Sequence, residues 1–299
     1  MSQIANFLFF SVSLDGRTAN CELADAPTFP AAMTYKDGSV LACGGYLHSD
    51  SHRCWRFDGS AWMSMPQQDH HHCFVNSPNL LVDQGWWVAG SNTNDNGAHC
   101  SGERISEIFT GEEWVPGPAH PKNGSTLFSC LVRLNSTQSM FIGGHVSSRQ
   151  AWIYDWSSGQ WTETGSLNKD RRWHGCVSLG DNLGALVVGG RRDGEAIYSV
   201  ELYDPVEGGW STQPDVPRDV KPVSPVLLNH AGQVLALFQA RVGQPSPFWE
   251  GPVYEPLDRV YQWSRQTGEW SVLEGVHLPA QGTLISAVLV PDDFAPSCL

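Results

Sequence analysis

The sequence predicts an all-β repeat protein, a single closed body assembled from four-stranded antiparallel units. Two features predict it. A tryptophan returns about every fifty residues inside one small phrase, which marks a repeat architecture rather than two ordinary domains. Ahead of each phrase lies a pair of short apolar strands, the second of which ends in small residues, usually Gly-Gly. The composition fits this reading: 30 Gly and 19 Pro supply turns, and 41% hydrophobic residues with 13 Trp supply a core.

The outer half of each unit is the tryptophan phrase. It reads Phe57-Asp58-Gly59-Ser60-Ala61-Trp62, then Phe109 to Trp114, Tyr154 to Trp161, Tyr203 to Trp210, and Tyr261-Gln262-Trp263 leading to Trp270. An aromatic residue, a polar or glycine-containing turn and then Trp is a hairpin whose two rings can pack across neighbouring strands. The inner half is the apolar pair, as in residues 129–134 followed by 139–144, or 174–179 followed by 185–190. Glycines end the second strand at Gly44-Gly45, Gly143-Gly144 and Gly189-Gly190, with Ala89-Gly90 as a weaker copy. Glycine suits a crowded junction where a side chain would clash. Each unit therefore has strands a to d.

Gly-Gly after an apolar strand, an aromatic-Asp hairpin and a Trp one strand later resemble the kelch repeat, which builds β-propeller blades. The resemblance covers essentially the whole chain. It implies a six-bladed propeller, with blades at about 29–69, 70–123, 124–170, 171–219 and 220–281 and a sixth formed by 282–299 together with 1–28. In the split blade, 283–290 is strand a, 294–299 a short strand b, 7–14 strand c and 21–24 strand d. Sharing a blade between the two ends closes the ring and removes an exposed sheet edge. Phe7-Leu8-Phe9-Phe10 also resembles the apolar part of a signal peptide, but it lacks a basic flank, and the ring uses it as a strand.

The eight cysteines fall where several could pair. Cys43 ends strand b of the first blade and Cys54 opens strand c. Cys73 and Cys100 belong to the second blade, and Cys21 and Cys298 to the two halves of the split blade. Cys130 and Cys176 each stand thirteen residues before the first Gly of their pair, which reads as equivalent innermost positions. They could pair or remain buried thiols, and a wholly reduced set stays open. Only four Lys, the sequons Asn123-Gly124-Ser125 and Asn135-Ser136-Thr137, and the pairing geometry favour a secreted, oxidising setting over the cytoplasm. Cys54-Trp55 and Trp173-His174-Gly175-Cys176 also resemble phrases of secreted invertebrate kelch proteins.

In an antiparallel four-stranded blade, the d to a connections and the b to c loops emerge on one face, and loops on a rigid scaffold carry binding. The d to a set supplies His70, His72, Arg171, Arg172, His174 and Lys221. The b to c set supplies Arg191, Arg192 and, on a long segment, Phe248, Trp249 and Tyr254. Against a net charge of -13, Arg171, Arg172, Arg191 and Arg192 form a local basic spot that would steer an acidic ligand or protein segment. The same net charge argues against nucleic acid, and no apolar run is long enough for a membrane-spanning helix. Of the three consecutive histidines, only His70 and His72 would face one ion, so no metal or cofactor is expected. His174 fits a backbone hydrogen-bonding role better than a catalytic one.

The expectation is a monomeric recognition module for a protein segment or an extracellular small-molecule or glycan ligand. No catalytic residue is assigned. The alternative is an enzyme at the channel mouth, because kelch propellers resemble the scaffolds of a copper-radical oxidase, a sialic-acid mutarotase and plant specifier proteins. Arg171, Arg172 and His174 would serve a mutarotase-like site, but fold analogy alone establishes no activity.

Overall fold

A computed structural model describes residues 9–12, 18–21, 32–43, 52–70, 72, 80–89, 92–93, 100–101, 106–121, 128–144, 149–245, 252–256, 258–278 and 287–291. These form an all-β propeller. The first blade is Ala32–Lys36, Ser39–Cys43, Cys54–Phe57 and Trp62–Ser64. The second is Leu81–Val82, Gly85–Ala89, Ser106–Phe109 and Trp114–Pro116. The third is Cys130–Arg133, Gln138–Ile142, Ala151–Asp155 and Gln160–Glu163. The fourth is Gly175–Ser178, Ala185–Val188, Val200–Asp204 and Gly209–Gln213. The fifth is Lys221–His230, Gln233–Pro245, Arg259–Trp263 and Trp270–His277.

The described residues thus form five four-stranded blades where six were expected. From the two ends expected to share a sixth, they include a two-stranded hairpin, Phe9–Val12 against Thr18–Cys21, and the segment 287–291, which is not in a strand. The second strand of that hairpin ends at Cys21, where the sequence reading began it. The proposed strand 294–299 lies outside the described residues.

Strand alternation builds the ring. Successive side chains of a strand point to opposite faces, so each b strand feeds two inter-blade cores. Leu41 and Cys43 pack toward the second blade with Trp86 and Val88, while Val40 and Ala42 face the other way. Trp87 turns from Trp86 to meet Leu131, Phe141 and Trp152 of the third blade. Met140 and Ile142 meet Cys176, Ala185 and Val187 of the fourth, and Leu186 and Val188 meet Val234, Ala236 and Phe238 of the fifth. A fully buried large apolar side chain contributes about 1.5–3 kcal/mol, so this stack of cores dominates stability. The outward faces of the fifth and first blades meet one segment: Ala287 and Leu289 pack on the fifth and Val288 on the first.

The hairpin phrases behave as expected. Phe57 lies across from Trp62, Phe109 from Trp114, Tyr154 from Trp161 and Tyr203 from Trp210. Ring centroids in these pairs are 5.2, 5.3, 5.0 and 5.3 Å apart. The turn carboxylate of Asp58 accepts bonds from Ser60 and Ala61, and that of Asp155 from Ser157 and Ser158, which holds each at about 2. The Gly-Gly junction is crowded as read. At Gly189 (φ 67°) a Cβ would run into the Pro222 carbonyl, and at Gly190 (φ 105°) it would sit 2.7 Å from the Arg172 carbonyl.

Two cysteine pairs are disulfides, Cys43–Cys54 and Cys130–Cys176, and no described cysteine is free. Cys43 and Cys54 lie directly across strands b and c, with Cα atoms 4.2 Å apart. Cys130 and Cys176 are not equivalent positions, which corrects the sequence reading. Cys130 pairs with Ile142, immediately before Gly143, whereas Cys176 pairs with Val187, one residue further from Gly189. A one-residue step reverses the face a side chain takes. Cys130 therefore faces forward to the fourth blade and Cys176 backward to the third, with Cα atoms 6.0 Å apart. Strictly equivalent cysteines would both point the same way around the ring and could not meet. Cys73 and Cys298, and the side chains of Cys21 and Cys100, lie outside the described residues.

Candidate recognition face

The d to a connections are held down by one position on strand c, two residues ahead of the hairpin aromatic. In the fourth blade that residue is Glu201, two before Tyr203. It accepts the backbone N–H groups of Asn168 and Lys169 at 2.6 and 3.1 Å and the guanidinium of Arg171 at 2.6 Å. In the second blade it is Glu107, two before Phe109. It accepts the N–H groups of Asp69 and His70 at 2.9 and 3.3 Å and bonds His72 Nε2 at 2.7 Å. The offset from backbone donors to side-chain donor is the same, so His72 occupies the place of Arg171. In the fifth blade Tyr261 takes the strand-c position and donates to Asp219 at 2.7 Å. In the third it is Trp152, edge-on to His120 at 5.3 Å.

These clamps relocate several residues expected on the surface. The side chains of Arg171 and Glu201 are 0% and 1% exposed. Arg171 also donates to the carbonyls of Gly189 and Ser199 and to the Ser199 hydroxyl, so it serves the blade and not a ligand. Burial lowers its pKa while the Glu201 charge opposes that. His72 is equally sealed and engaged by Glu107, and the His70 backbone binds the same carboxylate. Burial raises the Glu107 carboxyl, but the His72 bond and charge outweigh it and leave the group below its ordinary value. His174 is buried against Gly143 of the preceding blade. Desolvation and then the Arg171 charge push it down to about 3, so it is neutral. The structure thus gives it a packing role, not one at an open mouth.

What remains accessible is a basic surface across the third and fourth blades. Arg172 and Arg191 pair through their backbones, with Arg191 N–H donating to the Arg172 carbonyl at 2.8 Å and Arg172 N–H returning at 3.2 Å. Arg191 and Arg192 open the small hairpin Arg191–Arg192 with Glu195–Ala196. Arg149 and Arg192 approach Asp170 from two sides, at 3.6 and 3.7 Å, and Arg192 also meets Asp193 at 3.2 Å. Arg191 donates to the Gly194 carbonyl at 2.7 Å. The exposed side chain of Lys169 adds charge beside Asp170. Lys221 is half-buried at the start of the fifth blade. Tyr254 lies in Pro252–Pro256, which extends the long hairpin of the fifth blade, although its side chain is outside the description. Phe248 and Trp249 are outside the described residues altogether. Among the described residues no group of three or more His, Cys, Asp or Glu is placed to hold a metal ion.

Glu107, Glu201, Arg149 and Asp170 were not singled out from sequence. The two glutamates were findable, because both stand at the same offset before a hairpin aromatic. Arg149 and Asp170 meet only through the fold.

No known protein-family model matches the chain. It is similar to kelch-like protein 35 of Mus musculus, 32% identical over 127 residues, which is 42% of this chain and 21% of that protein. It is 27% identical to kelch-like protein 36 of Bos taurus over 203 residues, 67% of this chain and 31% of the relative. Spermatocyte protein spe-26 of Caenorhabditis elegans is 32% identical over 126 residues, 42% of this chain and 19% of that protein. The matched segments therefore span less than a third of these relatives' length. Fold and clamps define a repeat propeller with a loop-built face. Repeat pattern, blades and relatives agree on a β-propeller that is similar to kelch-like proteins.

Proposed function

We propose that this propeller is a protein-recognition module whose d to a and b to c face binds an acidic segment of a partner. The carrying observation is the gathering of Arg149, Arg172, Arg191 and Arg192 on one face of a chain with net charge -13. Among the described residues the Arg172 guanidinium has no ion-pair partner, and the carboxylates ion-paired with this cluster are Asp170 and Asp193. Arginine forks match carboxylates in a bidentate way, and a basic field within an acidic body steers such a ligand. Arg171 supports the site from below by fixing the connection that carries Arg172.

The six-bladed reading belongs to this proposal. Residues 287–289 touch both the first and fifth blades with alternating side chains, as an inner strand of a closing blade would. An oxidising compartment is favoured by the Cys43–Cys54 and Cys130–Cys176 bonds. The enzyme reading rested on Arg171, Arg172 and His174 at a channel mouth; Arg171 and His174 are sealed in blade packing, which favours the binder.

An array of Asp- and Glu-rich peptides, each paired with its Asn and Gln counterpart, tests this reading. Selective, salt-sensitive binding of the acidic member that drops at least tenfold in Arg172→Ala with Arg191→Ala is expected. Equal binding of both members would overturn it.

A further inference from the structure

The sequon Asn135-Ser136-Thr137 occupies the a to b turn of the third blade, at the opposite end of the strands from the arginine face. Ser136 and Thr137 are exposed and Asn135 half-buried. The Asn135 side-chain oxygen accepts the Thr137 backbone N–H at 2.9 Å and the Thr137 hydroxyl at 3.2 Å, so sequon residues one and three are already in contact. Its Nδ2 donates to two side-chain oxygens, Gln138 Oε1 at 3.2 Å and, on the neighbouring a to b turn, Asn182 Oδ1 at 3.0 Å. Both acceptors belong to movable amides. Asp181, Asn182 and Leu183 around them are exposed.

We infer that Asn135 carries an N-linked glycan. In the attaching step Nδ2 forms a bond to the anomeric carbon of an oligosaccharide borne on a lipid diphosphate. The anomeric carbon–oxygen bond breaks, the diphosphate leaves with the electron pair, and one Nδ2 proton is released. One N–H remains on Nδ2 and keeps one of its two hydrogen bonds. The backbone of the turn is untouched, because the Asn135 carbonyl still accepts from Arg133 Nε and Leu134 and Asn135 N–H still donate to the Gln138 carbonyl. Surface asparagines in such turns are the acceptors available in a secreted fold. A glycan here shields the a to b face across the third and fourth blades and leaves the arginine face open, so a partner would be admitted from one side only.

This inference rests on the oxidising-compartment reading, and its test separates the two. The full chain from its natural source is digested, released with peptide:N-glycosidase in heavy-oxygen water, and the Asn135 peptide is read for conversion to labelled aspartate. Unreduced alkylation reports the Cys130–Cys176 bond in the same sample. A labelled Asn135 is expected. An unlabelled peptide with the disulfide intact overturns the glycan alone, and an unlabelled peptide with free thiols overturns the compartment reading with it. In secretory-cell expression, Asn135→Gln and Thr137→Ala should both lose the glycan mass and Thr137→Ser should retain it. Retention in Thr137→Ala would overturn the assignment.

Discussion

The second and fourth blades solve one problem with different chemistry. Each must fix a d to a connection under the proposed recognition face, and each uses a strand-c glutamate that accepts two successive backbone N–H groups. In the fourth blade the remaining lone pairs meet Arg171, a permanent cation with further bonds to Gly189 and Ser199. In the second they meet one ring nitrogen of His72, at 2.7 Å. The backbone half of the clamp is thus common to both blades, while the side-chain half sets how many bonds lock the connection. The fourth-blade connection carries Arg172 directly beside the clamp, so the stronger lock lies beneath the proposed site.

The largest expected effect breaks the stronger clamp. Glu201→Ala leaves a buried guanidinium uncompensated and should cost about 3–5 kcal/mol, read as a lower urea midpoint. Glu107→Gln, which removes charge but keeps hydrogen-bonding capacity, should cost less, about 1–3 kcal/mol. A reversed order would mean the two clamps are not versions of one device. Arg171→His makes the fourth blade resemble the second. It should cost about 1–3 kcal/mol, because the carbonyls of Gly189 and Ser199 lose their donor.

Acid should separate the two regions next. Glu107 has a folded pKa below its ordinary 4.5, so its contribution is present above 4.5 and is lost as pH falls through the lower folded value. His174 acts in a higher window. Its folded value of about 3 lies below the ordinary 6.5, so between these the unfolded chain binds more protons and stability falls as pH drops. Urea midpoints at a series of pH values should show an upper step absent in His174→Gln and a lower step absent in Glu107→Gln. The smallest effect belongs to the fifth blade: Tyr261→Phe removes one hydrogen bond to Asp219 and should cost about 1 kcal/mol.

The repeat was legible because it is written in local chemistry. The Trp phrases, their turns and the Gly-Gly junctions depend on strand period and backbone conformation, and both are visible residue by residue. The site was less legible. Arg171 and Arg172 are neighbours and look alike, yet one faces Glu201 in the interior and the other the surface, a difference fixed by tertiary placement. The same holds for His72, which in sequence is one of three histidines and in the fold is a clamp. The Cys130–Cys176 bond shows how fine the missing information is. Counting to the glycine pair gave both the same offset, while a one-residue difference in ladder register turns their side chains toward each other.

Recognition of acidic segments by the arginine face is decided by affinity for an acidic peptide across a salt series, in the native chain and in Arg172→Ala with Arg191→Ala. Binding should weaken steadily with salt in the native chain, and the variant should lose at least tenfold in affinity with its urea midpoint unchanged. Equal affinity and equal salt dependence in the two proteins would contradict it.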